Sequence, residues 1–157
     1  KTALKLTHIA EPLPSWVAET DHRILGLWAR DCAVRVLPLF EAAFPADLRP
    51  GAALQALQAW LDSGEFQMAV IRKASLDAHE AARDVGADSP ARSAARAAGQ
   101  AAAAAHVPRH SLGAAQYALQ AVFRASEPAS AAGSVALEQQ WQLRHLAGLR
   151  RQSPPDR

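Results

Sequence analysis

Residues 89–105 read SPARSAARAAGQAAAAA. Ser89 is a capping residue, and Pro90 falls at the first helical position, where its missing N–H is no loss. Ala91, Ala94, Ala95, Ala98, Ala102 and Ala105 then recur at helical spacing, while Arg92, Arg96 and Gln100 lie four apart on another face. Alanine is the best helix former and loses no side-chain entropy on folding. Its methyl group covers little area, however, so an alanine face is buried only by bringing another helix backbone close. This stretch therefore predicts an all-α fold, a compact bundle or array of about six helices with alanine-rich interfaces.

The same periodicity extends to both sides. Upstream, the spacing predicts a helix from about Phe66 to Val85, with Ile71, Ala74, Ala78, Ala81 and Val85 inward and Gly86 at its C-terminal turn. Before it, Pro50 opens a helix carrying Ala53, Leu54, Leu57, Trp60 and Leu61, which Gly64 ends. The first helix begins after an N-cap at Thr20 or Asp21 and carries Leu25, Trp28, Ala29, Cys32, Val36 and Leu39. Pro38 lies inside that pattern, so a kink or break is expected there. Downstream, Pro108 punctuates the alanine helix, and Leu112, Ala115, Leu119 and Val122 mark the next one. Residues 126–133 read as a linker, followed by a helix with Val135, Leu137, Trp141, Leu146 and Leu149. Runs of β-branched residues with period two are missing, so no strand is expected. Residues 1–20, with Pro12 and Pro14, read as an extended N-terminal arm that Trp16 and Val17 pin to the core. Residues 21–150 form a single helical domain, and 151–157 read as a disordered tail.

Composition narrows the function classes. The 157 residues fit one domain and carry a formal net charge of +2, with acidic and basic residues interleaved. A nucleic-acid surface would need clustered Lys and Arg, so no nucleic-acid partner is expected. No apolar run reaches transmembrane length, so no membrane partner is expected either. The opening residues lack the apolar core of a signal peptide, which points to the cytoplasm. Cys32 is the one cysteine, which excludes a disulfide within the chain, and its apolar position predicts a buried, inert thiol.

No spacing demands a metal, a nucleotide or another cofactor, and none is expected. The candidate functional polar cluster is Asp21, His22, Arg72, His79, His106 and His110. His106 and His110 stand four apart, a spacing that lets two imidazoles share a metal on one continuous helix, but Pro108 lies between them. They equally suit helix ends. Arg72, Ser75 and His79 share a face, with Asp77 and Glu80 beside it; a Ser–His pair is one reading and solvated helix polarity the other. Asp21 and His22 open the first helix, where an acid favours the dipole. Asp31 and Arg35 form an i,i+4 pair. Trp28, Trp60, Trp141 and Tyr117 are the large side chains of a small-residue core or the walls of a pocket. Gly99 and Gly113 stand alone, as close helix contact requires, and the arginines 23, 30, 35, 92, 96 and 144 are scattered.

The stretches LWARDCAVRVLPLFEAAFPADLRPGAALQALQAW, RKASLDAHEAARDV and ARAAGQAAAAAHVPRHSLGAAQYALQAV resemble the immunity proteins of bacterial polymorphic toxin systems. Trp28, Cys32, Pro38, Asp47, Arg49, Pro50, Trp60, His79, Gly99, His106, His110, Gly113 and Tyr117 carry the likeness, across residues 27 to about 122. The resemblance implies a helical domain that binds and silences a cognate protein toxin; it implies no catalytic set. A small helical enzyme or metal-binding protein built on His79, His106 and His110 is the alternative, and self-association through an exposed alanine stripe a third reading. The oligomeric state is left open.

Overall fold

The computed structural model describes residues 12–152, which form seven α-helices. These are α1 Leu13–Glu19, α2 His22–Ala43, α3 Arg49–Ser63, α4 Met68–Val85, α5 Pro90–Ala103, α6 His110–Ala125 and α7 Ala131–Gln152. No strand occurs among the described residues.

The alanine helix α5 is central, packed against α2, α3, α4 and α6. Ala91, Ala94, Ala95, Ala97, Ala98, Ala101 and Ala102 are all buried, as are Ser93 and Gly99. Its start follows the sequence signal: the Ser89 side chain accepts from the Arg92 N–H, and Pro90 opens the first turn. The other side of the molecule packs by bulk. Trp28, Phe40, Leu25, Leu57 and Leu146 are the largest fully buried apolar side chains, each stabilising the fold by roughly 1.5–3 kcal/mol. Trp28 Nε1 donates to the Gln142 carbonyl at 2.9 Å, and Gln142 Nε2 donates to the Ala115 carbonyl at 3.0 Å. Those two bonds tie α2, α7 and α6 together.

Several expectations change. Residues 13–19 are helix rather than extended arm, because Pro14 sits in the first turn of α1, where a missing N–H costs nothing. Leu13 is buried, and Trp16 and Val17 pack against the core. The rest of the expected arm, and residues 153–157 of the expected tail, lie outside the described residues, while α7 itself continues to Gln152. Pro38 does not break α2, which runs on through it. Pro38 and Val34, whose carbonyl loses its partner, are both exposed, so water can satisfy that carbonyl. Pro108 separates two helices rather than kinking one. The linker after α6 is shorter than expected, because α7 already begins at Ala131, which is buried. Arg35 does not pair with Asp31. It forms a two-pronged bond to Glu138 at 2.6 and 3.0 Å and lies 3.9 Å over the Trp141 ring, whereas Asp31 meets His145 at 2.7 Å.

Candidate functional site

Between residues 91 and 102, the side chains of α5 that reach the surface are Arg92, Arg96 and Gln100. This is the i, i+4, i+8 stripe, and it lies in the seam between α4 and α6. α4 contributes His79 and Arg83 to the seam, one helical turn apart. α6 contributes His110, Gly113 and Tyr117.

The hydrogen bonds along the seam fix its protonation. Arg96 Nη1 lies 2.9 Å from His79 Nδ1. A guanidinium only donates, so Nδ1 must carry a lone pair and the imidazole is neutral with its hydrogen on Nε2. The environment agrees: burial first, then the Arg96 and Arg83 charges and His110, push the His79 pKa down to about 4. Burial also lowers the Arg96 pKa; Tyr117 acts the other way, and Arg92 and Arg83 add to the lowering. His110 Nδ1 donates to Gln100 Oε1 at 2.9 Å. Burial, then His106, lowers the His110 pKa.

Two glycines make room for this network. A Cβ on Gly99 would sit 2.7 Å from His79 Nε2, and one on Gly113 would sit 2.6 Å from Gln100 Oε1. Close helix contact is thus the right reading of both, with a refinement: each accommodates a polar side chain from the neighbouring helix, not a backbone.

The six residues of the expected polar cluster do not converge. His79 and His110 share the seam from opposite sides of α5. Asp21 is the N-cap of α2, accepting from the Arg23 and Ile24 N–H groups. His22 Nε2 donates to the Ala104 carbonyl at 2.7 Å, with its ring 4.8 Å from that of Trp60. His106 is exposed in the turn after α5 and stacks on Phe66 with ring centroids 5.5 Å apart. Arg72 is exposed on the outside of α4. Among the described residues, no group of three or more His, Cys, Asp or Glu is placed to hold a metal ion. His79, His106 and His110 thus do not form one ligand set in this fold: Pro108 takes His106 off the helix, and Arg96 occupies His79 Nδ1. The Ser–His reading fails on geometry as well, because buried Ser75 Oγ donates to the Gly99 carbonyl at 2.9 Å.

Cys32 is fully buried, and burial pushes its thiol well up, with Asp31 and Glu138 adding to the effect. Such a thiol is a poor nucleophile. Trp28 is a core residue with no exposure, whereas Trp60, Tyr117 and Trp141 are half-buried against the core.

A second polar network closes the α2–α3 turn. Arg49 Nη2 reaches Asp47 at 2.7 Å and Asp84 at 2.8 Å, with Glu80 4.0 Å from Nη1. The Arg49 side-chain bonds hold the Asp47 carboxyl below its usual range. Its form is that of a clamp from the turn to α4, beside a shallow hollow of about 400 Å³ between Leu48 and Asp77.

Sequence reading identifies Arg92, Arg96 and Gln100 as one face but not Arg83, Tyr117 and Arg124 as their neighbours. The usable signal is the i,i+4 spacing of His79 and Arg83, which puts both on the side of α4 that carries the polar residues.

The model of the family described as Imm-5 like putative immunity protein matches residues 15–149. No curated protein and no solved structure matches the chain.

Proposed function

The chain belongs to the Imm-5 like immunity protein family, and on that premise we propose that it binds a cognate bacterial toxin and neutralises it by covering the toxin's working surface. Family membership carries this reading, and the outer face of α4 supports it. Arg72, Lys73, Leu76 and Glu80 are exposed there at helical spacing. Leu76 is 52% exposed amid charges of both signs, and Leu48 on the α2–α3 turn is 74% exposed. An apolar centre with a polar rim is the composition of a protein–protein contact. Interleaved charges speed and select association more than they add affinity. No helix among the described residues is long and apolar enough to cross a membrane. The partner is read as a protein rather than a nucleic acid because α4 presents carboxylates together with its arginines.

The test is capture of the partner from the native bacterium with this chain as bait, followed by assay of the captured toxin. Support is one toxin whose activity the added chain blocks, with blocking weakened about tenfold or more by Leu76→Asp. Loss of the reading is a lysate known to contain the neighbouring toxin that yields no complex, or a complex in which the toxin stays active.

A further inference from the structure

The seam between α4, α5 and α6 holds more positive charge than the fold neutralises. Arg83 on α4, Arg92 and Arg96 on α5, and Arg124 on α6 all lie along it. Arg124 reaches α5 through a 2.9 Å bond to Ser93 Oγ. Among the described residues, Asp88 is the only carboxylate in an ion pair with any of the four, at 3.4 Å from both Arg92 and Arg124. Arg83 and Arg96 have no carboxylate partner among those residues. Arg96 meets a neutral imidazole instead, at 2.9 Å. It is half-buried, and burial first, then the Arg92 and Arg83 charges, lower its pKa. A guanidinium kept partly out of water, next to like charges and without an acid, is unfavourable for the free protein. It becomes favourable when an anion arrives, because guanidinium–carboxylate bonds are charge-assisted and two-pronged.

We propose that Arg83, Arg92 and Arg96 form a receptor for a single carboxylate side chain presented by a partner protein, with His79 holding the Arg96 fork in position. The Arg96–His79 bond uses one Nη1 hydrogen and leaves the remaining donors of the fork free. Asp88, exposed and shared between Arg92 and Arg124, borders the site, and its charge would repel an extended polyanion such as a nucleic-acid backbone. That the carboxylate comes from a partner chain rests on the immunity reading; the existence of an anion receptor does not.

The experiment uses the purified full chain and no toxin. N-acetyl-glutamate amide is titrated while the arginine Nε–H and histidine ring resonances are followed by NMR. N-acetyl-glutamine amide is the uncharged control, and inorganic phosphate the competing oxyanion. Saturable shifts at Arg83, Arg96 and His79, absent at Arg72 and Arg144 and absent with the glutamine analogue, are expected. Arg96→Gln should weaken binding about tenfold, and Arg83→Gln, at an exposed position with no carboxylate partner, about threefold. His79→Phe should weaken it too, while His79→Gln, which keeps an acceptor for Arg96, should restore most of it. Three outcomes overturn the proposal: uniform shifts at every arginine, binding unchanged in both Arg83→Gln and Arg96→Gln, or phosphate saturating the site more tightly than the carboxylate. Failure here leaves the immunity function standing, and failure of toxin capture leaves the receptor standing.

Discussion

The α4–α5–α6 unit and the α2–α7 side of this molecule solve the same packing problem in opposite ways. Around Trp28, Phe40 and Leu146 the core is filled by volume; of the polar atoms that enter it, Trp28 Nε1 and Gln142 Nε2 are tied to backbone carbonyls, while Gln142 Oε1 has no hydrogen-bond partner among the described residues. Around α5 the core is filled by proximity. Methyl groups and two glycines let helices approach until side chains from one helix lie on the backbone of the next, as the His79 ring does on Gly99. Bulk makes a dry core. Proximity makes a core whose outer edge is a narrow seam, and polar side chains caught there are half-buried with few partners.

The contrast predicts opposite sensitivities. Trp28→Ala should be the most damaging change, at about 3–5 kcal/mol, because it opens a cavity and leaves the Gln142 carbonyl without its donor. Ala98→Leu, fully buried on α5, should cost about 1–3 kcal/mol by the reverse mechanism, since there is no space for added carbon. Urea denaturation measures both. If Ala98→Leu were neutral, the alanine unit would have slack, and packing by proximity would be the wrong description of it.

The alanine unit is more legible in the sequence than the seam. The stripe Ala91, Ala94, Ala95, Ala98, Ala102 and the cap at Ser89 are local patterns, and both appear in the fold as read. The helix over Leu13–Glu19 is hidden because two prolines look like an extended arm, whereas Pro14 falls in the one helical turn that tolerates it. The polar cluster is dispersed for a different reason. Which of His22, His79, His106 and His110 meet depends on how the helices cross, and periodicity within one helix carries no such information. Residues that share a helix, Arg92 with Arg96 and Gln100 on α5 and His79 with Arg83 on α4, can be placed together from spacing.

Glycine substitutions sharpen the comparison at the level of single carbons. At Gly133 in α7 nothing lies within 4 Å of the position a Cβ would take, so Gly133→Ala should stabilise by about 0.5–1 kcal/mol through helix propensity alone. Gly99→Ala has the same propensity gain, but its methyl would stand 2.7 Å from the His79 ring. It should destabilise by about 1 kcal/mol net. Gly113→Ala should fall between the two, because the obstructing Gln100 amide is the end of a flexible chain and can swing aside. In a double-mutant cycle, His79→Ala should relieve most of the Gly99→Ala cost. Independent, additive effects would show that the ring does not bear on the glycine.

A further expected effect is a pH slope, and its sign follows from His79. The folded protein holds this imidazole at a pKa of about 4, below the ordinary 6.5. Between those values the unfolded chain binds the proton and the folded chain does not, so the unfolded state is favoured as pH falls. The contribution is complete above about 6.5 and is lost as pH drops towards 4. His110 is shifted in the same direction, by burial and by His106, and adds to the slope. Stability followed by urea denaturation across this range should therefore fall with acidification, and His79→Gln, which cannot titrate, should flatten the curve. The largest buried side chains of the bulky side, Trp28, Phe40 and Leu146, do not ionise and add nothing to this slope. A slope unchanged in His79→Gln would mean that the seam is wetter than its geometry implies, and that the His79 ring is not held out of water by the close approach of α4 to α5.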